Sequence, residues 1–553
     1  MIELTGSQTI GAVLREAGQR FGDAPFLIAP ANPGRGYAPA GESRSFDRMN
    51  AIVDSLAACY ADAGYGAGHR IGLLLENRLA HFEHKLALNA IGACCVPLIP
   101  DHRPAEMGYV IGHARVDLVV VLPALAPLVH EAIGLARHVP PVVLLDDVAN
   151  RLPPAERRAS ATTAEPSSIA TVLYTSGTTG RPKGCLLSHR YELASGHWYA
   201  TRGGLMTFRE AAERIYNPLP VYHVNSSVVS FYGALFTGNC QIQADRFQTS
   251  RWWQEVRESG ATVVHYLGVI VPMLLNQPPD RADRGHQVRF GVGAGVDPQR
   301  HAEFERRFGF PLIEIWGMTE TVRLLADAEP PRRVGTRAFG KAQPGLEARI
   351  VDDTDADVAD GVPGEMVIRH SAATPRQDAF SGYLDDEAAT EAAWRGGWFH
   401  TGDIVVRDPD GMLHFVERRK NIIRRSGENI AAAEVEAILQ AHPDVAQAVV
   451  LSVPDEVREE EVLACIVVRP GVALTAAEDD PLVRKLFEHC NAQLAYYKAP
   501  GWIFFLDEIP TTGTQKVQKH QIFAAGIDPR TRPGMIDLRH WKKRQPAASA
   551  GSQ

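Results

Sequence analysis

The stretch Tyr174–Gly184, YTSGTTGRPKG, concentrates groups that hold anions. Its three glycines let backbone N–H groups approach a bound anion closely, the hydroxyls of Thr175, Ser176, Thr178 and Thr179 add donors, and Lys183 adds positive charge. Together they are the chemistry of a polyphosphate cradle. The spacing is not that of the common kinase or GTPase loop, where four residues separate the glycines and Gly-Lys-Ser/Thr follows. Here only Thr178 and Thr179 lie between Gly177 and Gly180, Pro182 precedes Lys183, and Gly184 follows it. The same residue types also build ordinary turns, so the rest of the chain has to decide between cradle and loop.

Other segments carry groups of the same kind. YNPLPVYHVNSS (Tyr216–Ser227) sets His223 just after a Pro-bounded apolar segment. WGMTET (Trp316–Thr321) puts an aromatic, a glycine, a hydroxyl and a carboxylate at a strand end. GWFHTGDIVVRDPDG presents Asp403 in a turn, and IPTTGTQKVQKHQI carries Lys516 in a glycine-containing loop. GVGAGV alternates Gly291, Gly293 and Gly295 and is not a dinucleotide fingerprint. Each has a plain reading by itself: a structural histidine, a turn aspartate, a core tryptophan, a solvated lysine.

The elements that must position these groups read as α/β. Ile71–Leu75 is a continuous apolar run, Leu79, Phe82 and Leu86 recur at helical spacing, and Cys94–Leu98 is apolar again. Further buried-strand candidates are Val116–Leu122, Pro141–Asp147, Ile169–Thr175, Ala261–Leu267 and Pro311–Trp316, several separated by helix-like stretches. Continuous apolar strands alternating with helices predict largely parallel sheets covered by helices on both faces. The phosphate-like loop directly follows one such strand, where open α/β sheets bind ligands. Near Glu417 the texture changes to a basic segment, a turn and a short amphipathic helix. Two strands (AQAVVLSVPD and EVLACIVVRP), a helix over Asp480–Leu494 and the strand GWIFFLD follow. This predicts a large domain over 1–419, a small α+β domain over 420–545 and a disordered tail over 546–553.

A chain of 553 residues calls for two or more domains. Its 57 lysines and arginines against 65 aspartates and glutamates leave a net charge of −8, which gives a nonspecific nucleic-acid role no support. No apolar run reaches the length of a membrane span, and MIELTGSQTI has neither the basic start nor the apolar run of a signal peptide. The seven cysteines form no CxxC pair, so neither a disulfide framework nor a zinc site is suggested. The expectation is a cytoplasmic enzyme.

Taken in order and at their spacing, the five motifs led by the Thr175–Gly184 loop, His223, Trp316–Thr321, Asp403 and Lys516 resemble the adenylate-forming superfamily. This superfamily contains acyl- and aryl-CoA synthetases, peptide-synthetase adenylation domains and beetle luciferases. The resemblance runs from about Leu14 to Ile522. It implies that a carboxylate attacks the α-phosphate of ATP, that pyrophosphate leaves, and that AMP then departs in favour of a thiol. Such catalysis is mostly positioning and electrostatics.

By resemblance, the loop holds the β- and γ-phosphates, with Lys183 among its contacts. Gly293, Ala294 and Gly295 form the adenine wall, and Trp316 stacks on adenine with Gly317 and Met318 beside it. Thr319 contacts the α-phosphate. Glu320, with Thr175, holds Mg²⁺, a hard ion suited to oxygen ligands. Asp403 and Arg418 take the ribose, Lys516 bridges carboxylate and α-phosphate, and His223 lines the acyl pocket. Lys420 is the pivot about which the small domain turns after adenylation. Ser426–Ile430 then lines the pantetheine tunnel, with Gly427 leaving room for the CoA thiol arm. Four residues depart from the usual pattern: Trp316 for Tyr, Gln515 for Gly, Asn421 for Asp and Ser426 for Gly.

The segment FVERRKNIIRRSGENIAAAEVE looks most similar to the carnitine/crotonobetaine-CoA ligase group. A trimethylammonium substrate would want an aromatic cage, for which Tyr222, Phe231, Tyr232 and Tyr266 are candidates; Ser227 is a further candidate contact. Arg323, three residues after Glu320, points instead to a second carboxylate or another polar group on the substrate. The expectation is a small or medium polar carboxylic acid as partner, with ATP, Mg²⁺ and CoA. A homodimer is implied by analogy alone. Two other readings stay open: an acyl-AMP ligase that loads a carrier protein in trans, and a degenerate nucleotide-binding protein.

Overall fold

The computed structural model describes the chain except for residues 137, 176–180, 353, 419–421, 476, 511–518, 520–521, 525–526 and 544–553. The expected pivot Lys420, the catalytic candidate Lys516 and the tail over 546–553 therefore lie outside the described residues.

One sheet runs in the spatial order Val142–Leu144, Leu118–Val121, Arg70–Leu74, Cys94–Pro97, Ile169–Thr175, Lys183–Ser188. Its neighbours are parallel apart from the last pair, an antiparallel hairpin. A second sheet runs Thr321–Ala326, Leu312–Met318, Phe290–Ala294, Val263–Leu267, Arg214–Asn217, Cys240–Gln243, Pro25–Ala29, Glu42–Ser45. It is parallel inside and antiparallel at both ends. The apolar runs became these inner strands because both faces of each are covered: Val119, Val120, Val263 and Val292 are fully buried. The Leu79–Ala90 helix is buried nearly all round, because it packs against strands of both sheets.

A third, antiparallel sheet of Glu347–Val351, Gly364–Arg369, Phe399–Arg407 and Leu413–Arg418 was not expected. Asp403 accordingly stands on a strand, not in a turn. Gly402 beside it takes a φ of +71° that lets the strand bend there.

The chain from Ile422 onward builds a fourth sheet with its own apolar core, which includes Ile423, Val450, Ile466, Leu486 and Leu538. The two predicted strands are Val445–Asp455 and Glu459–Val468, which pair antiparallel, and the predicted helix is Pro481–Gln493. The basic segment differs from expectation. Ile422–Arg425 and Glu428–Ala431 form a two-stranded hairpin turning at Ser426 and Gly427. Its charged side chains hid the strand pattern, and only pairing with the neighbouring strand at Arg425–Glu459 completes it.

Candidate active site

The hairpin after the Ile169–Thr175 strand pairs Thr175 with Lys183. Ser176, Gly177, Thr178, Thr179 and Gly180, which close it, lie outside the described residues. Thr175 Oγ1 lies 3.8 Å from the buried Cys185 thiol. Burial, then the charge of Glu320, pushes the Cys185 pKa well above the usual thiol range. Glu320 is buried at the turn between Leu312–Met318 and Thr321–Ala326, and its Oε1 accepts from the Tyr383 hydroxyl at 2.9 Å. Lys183 Nζ sits 4.5 Å from the centre of the same tyrosine ring and 3.7 Å from Asp386. Tyr383 thus joins the loop's cation to the carboxylate of the TE motif, although nothing in the sequence singled it out. Thr319 anchors this turn: its carbonyl accepts from Tyr191 Oη at 2.7 Å.

Among the described residues no cluster of three or more His, Cys, Asp and Glu side chains could hold a metal by itself. Thr175 and Glu320 flanking Cys185 nevertheless fit the way Mg²⁺ is bound with a nucleotide, by one or two oxygen ligands plus the substrate's phosphates.

A cavity of about 920 Å³ opens beside this turn, lined by Ala294, Gly295, Trp316, Gly317 and Asp403. Asp403 is buried, and its Oδ2 accepts from Trp316 Nε1 at 2.8 Å. Strand pairing sets Arg418 opposite Asp403. Met318, half-buried, pairs across the hairpin with Thr321. The glycines of the wall are required by close approach: a Cβ on Gly293 would lie 2.3 Å from the Tyr266 carbonyl oxygen. Glu314 braces the wall from below, accepting from Gly295 N and Val296 N, both at 3.1 Å, and from Tyr266 Oη at 3.0 Å. A lone carboxylate in the apolar strand PLIEIW was the signal that could have found it.

The chain after Ile422 supplies the other side of the cavity, including Arg424 and Glu459. A Cβ on Gly427 would meet the Leu267 side chain at 2.1 Å, so the tight turn packs directly on the large domain, and its φ of +85° favours glycine there. The next residue, Glu428, brings Oε2 to 3.7 Å from His223 Nε2. Burial alone would raise the Glu428 pKa, but His223 beside it brings it below the usual carboxylate value. The Tyr222 ring, half-buried, lies 4.9 Å from that of His223.

His223 precedes a π-helical stretch, Asn225–Ser230, a form frequent at functional sites. Its buried neighbours hold it by polar bonds: Ser226 to Gln243 at 2.6 Å, Ser230 to Gln241 at 2.7 Å, and Asn225 to His265 at 2.8 Å. Ser227 is itself buried and donates its hydroxyl to the His223 carbonyl at 3.1 Å, so it shapes the turn.

Four substrate candidates need correction. Tyr266 is buried and bonded to Glu314 behind the Gly293–Gly295 side of the cavity, away from any cage. Phe231 and Tyr232 are buried as well; Phe231 stacks on Phe82, and Tyr232 Oη accepts from the buried Lys85. Arg323 is buried with its guanidinium committed to Gln377 O at 2.8 Å and Asp378 Oδ2 at 3.0 Å. Both terminal nitrogens of its guanidinium are thus taken up within the protein, and Arg190 shares the same Asp378 carboxylate at 2.7 Å.

The family model for AMP-binding enzymes matches residues 14–384, and that for the AMP-binding enzyme C-terminal domain matches 434–516. The chain belongs to the AMP-binding enzyme family. This AMP-binding enzyme is 31% identical to a sulfoacetate–CoA ligase of Cupriavidus necator, over 92% of this chain and 96% of that protein. It is 26% identical to a crotonobetaine/carnitine–CoA ligase of Salmonella paratyphi A, over 94% of this chain and all of that one (100%). Its fold matches o-succinylbenzoate CoA synthetase from Bacillus subtilis with a TM-score of 0.79 at 22% identity, over 93% of this chain and 98% of that one. Mostly parallel sheets, a separate C-terminal unit and the adenylate-forming family are therefore as expected. No helix among the described residues is long and apolar enough to cross a membrane.

Proposed function

We propose that this AMP-binding enzyme is an AMP-forming carboxylic acid–CoA ligase that takes a short, polar acid. The observation that carries the ligase reading is the seating of the Gly427–Glu428 turn against Leu267 and His223, beside a nucleotide-sized cavity. That turn approaches the acyl-pocket residue His223, the place where a thiol would have to arrive.

In the first step a carboxylate oxygen of the acid attacks the α-phosphorus of ATP and pyrophosphate leaves. Ala294 and Gly295 wall the adenine, Trp316 faces it, and Asp403, with Arg418 opposite, accepts the ribose hydroxyls. Thr319 and the Thr175–Lys183 hairpin hold phosphate oxygens, and Lys516 bridges the two reacting anions. Glu320 with Thr175 would hold Mg²⁺, which would supply charge neutralisation on the phosphates. In the second step the CoA thiol releases its proton to solvent, its sulfur attacks the acyl carbon, and AMP leaves with the bonding electron pair. Glu428 beside His223 is the pair placed to orient that step. The alternation of two orientations about Lys420 lets one pocket serve both second substrates.

A short polar acid is supported by the relatives, since sulfoacetate and carnitine are both small acids that carry a second charge. Arg323 no longer supports it. The test is AMP and pyrophosphate release from ATP with Mg²⁺ over short aliphatic, sulfonated, dicarboxylic, aromatic and betaine-type acids, each with and without CoA. CoA-dependent AMP release with a charged short acid is the expected result. Pyrophosphate release that never depends on CoA would favour a carrier protein as acceptor, and silence across the panel would favour a degenerate nucleotide-binding protein.

A further inference from the structure

Lys498 follows the Pro481–Gln493 helix in the small domain, and its ammonium group bonds two carboxylates at once. Glu434, in the Ala432–Gln440 helix of the same domain, accepts at 2.9 Å; Glu106, in the Pro104–His113 helix of the large domain, accepts at 2.7 Å. The side chains of Lys498, Glu434 and Glu106 are 7%, 10% and 7% exposed, so water screens none of them well. Glu106 is held in place by its own helix start, where Oε2 accepts from Arg103 N at 2.9 Å. Arg103 then reaches across to Asn491 Oδ1 at 2.8 Å and Leu494 O at 2.9 Å.

The connection to the active site is short and rigid. The helix that carries Glu434 begins immediately after the Glu428–Ala431 strand, and that strand begins with the residue facing His223. Whatever holds Glu434 against the large domain therefore holds Glu428 against His223. Lys498 does so in a particular way. One cation compensates two buried carboxylates from different domains, and without it those carboxylates would face each other across the interface as like charges in a poorly solvated place. The arrangement is attractive with Lys498 and repulsive without it.

We propose that Lys498 is a positioning residue for the thioester-forming step, clamping the small domain in the orientation that sets Glu428 beside His223. The clamp rests on the ligase reading for its purpose and on the Glu106–Lys498–Glu434 geometry for its existence. Turning the small domain away for adenylation separates Glu106 from Lys498 while the Lys498–Glu434 pair travels intact. The triad thus biases one of two orientations and leaves the chemistry of the first step untouched.

The test is the domain orientation itself, read by double electron–electron resonance between nitroxide labels at the exposed positions Glu303 and Lys485, one on each domain. Labels carried on unnatural side chains leave the seven native cysteines alone. Wild type should populate the separation of this structure. Lys498→Met should lower that population relative to all others by about tenfold, and Lys498→Arg should retain it. Glu106→Gln added to Lys498→Met removes the repulsion and should recover part of the loss. Should Lys498→Met fail to fold, Glu106→Gln alone, which leaves the small domain's own pair intact, must shift the distribution in the same direction. A wild-type distribution lacking this separation, or one that these variants leave unchanged, would overturn the proposal. With an acid found in the panel above, Lys498→Met should keep acid-dependent ATP–pyrophosphate exchange within about threefold and lose about tenfold in thioester formation. The resonance measurement needs no acid, so its failure would strike the clamp alone, whereas silence of the panel would strike the ligase reading alone.

Discussion

The indole N–H of Trp316 donates to Asp403 Oδ2 at 2.8 Å, tying the aromatic at the end of a parallel strand to the carboxylate of a separate antiparallel sheet. The tyrosine usual at this position in the family has its polar atom at the far end of the ring, so the bond depends on the departure to tryptophan. The two side chains are thereby coupled: a shift of one moves the other, and with it the proposed adenine and ribose contacts.

Trp316→Phe keeps an aromatic face on the cavity and removes this donor. Losing one hydrogen bond to a buried carboxylate should cost about 1.5–3 kcal/mol of stability. In steady-state kinetics it should raise the KM for ATP by about tenfold with a smaller change in kcat. An unchanged KM for ATP would show that the pair lies outside the nucleotide site.

Glu320→Gln should raise the Mg²⁺ concentration for half-maximal pyrophosphate release by about tenfold, since a neutral amide is a poorer ligand for a hard divalent ion. Tyr383→Phe removes the hydroxyl that orients Glu320 but leaves its charge, and should shift the same titration by less. Equal Mg²⁺ dependence in wild type and Glu320→Gln would assign the metal elsewhere.

Glu459, the first residue of the Glu459–Val468 strand and part of the cavity lining, has Oε1 2.7 Å from where a side chain on Gly268 would begin. Burial, partly opposed by Arg424, pushes its pKa from 4.5 up to about 7. A carboxyl whose pKa is raised on folding favours the folded state while it keeps its proton, and that contribution is lost as pH rises from about 4.5 through about 7. By linkage the loss amounts to about 3 kcal/mol at most. Thermal melts should show Glu459→Gln and wild type alike near the low end of this window and the variant more stable at pH above it. Parallel pH profiles for the two proteins would contradict the burial of this carboxyl.

Lys516→Ala should lower acid-dependent ATP–pyrophosphate exchange by about a thousandfold, because a charge aimed at the reacting anions is lost. ATP affinity, measured by equilibrium titration, should change by less than about threefold. Full exchange activity in the variant would mean that a different lysine, or a different mechanism, serves the first step.

Much of the fold was legible in the chain. Ile71–Leu75, Cys94–Leu98 and Leu118–Leu122 are apolar without interruption, and a segment buried on both faces has little choice but an inner parallel strand. The third sheet was not legible, because bulges and the left-handed Gly402 break the polar/apolar alternation that would mark Phe399–Arg407 as a half-buried strand. The basic hairpin at Ile422–Ala431 was missed for a related reason: its strands are held by cross-strand pairing and by the large domain's surface, not by a run of apolar residues.

By itself, the sequence determined the family and the identity of the phosphate, adenine and ribose candidates, since the chemistry of acid activation needs particular residue types in a particular order. Tertiary structure decided which charges are available. Arg323 and Glu320 stand three residues apart in the chain, yet one is bonded to Asp378 while the other meets Tyr383 near the loop. It also decided the partners Tyr383, Glu314, Glu428 and Lys498, each distant in sequence from the group it touches. Ordinary glutamates, lysines and tyrosines carry no motif, and their roles come from long-range contacts that form only when separate sheets pack together.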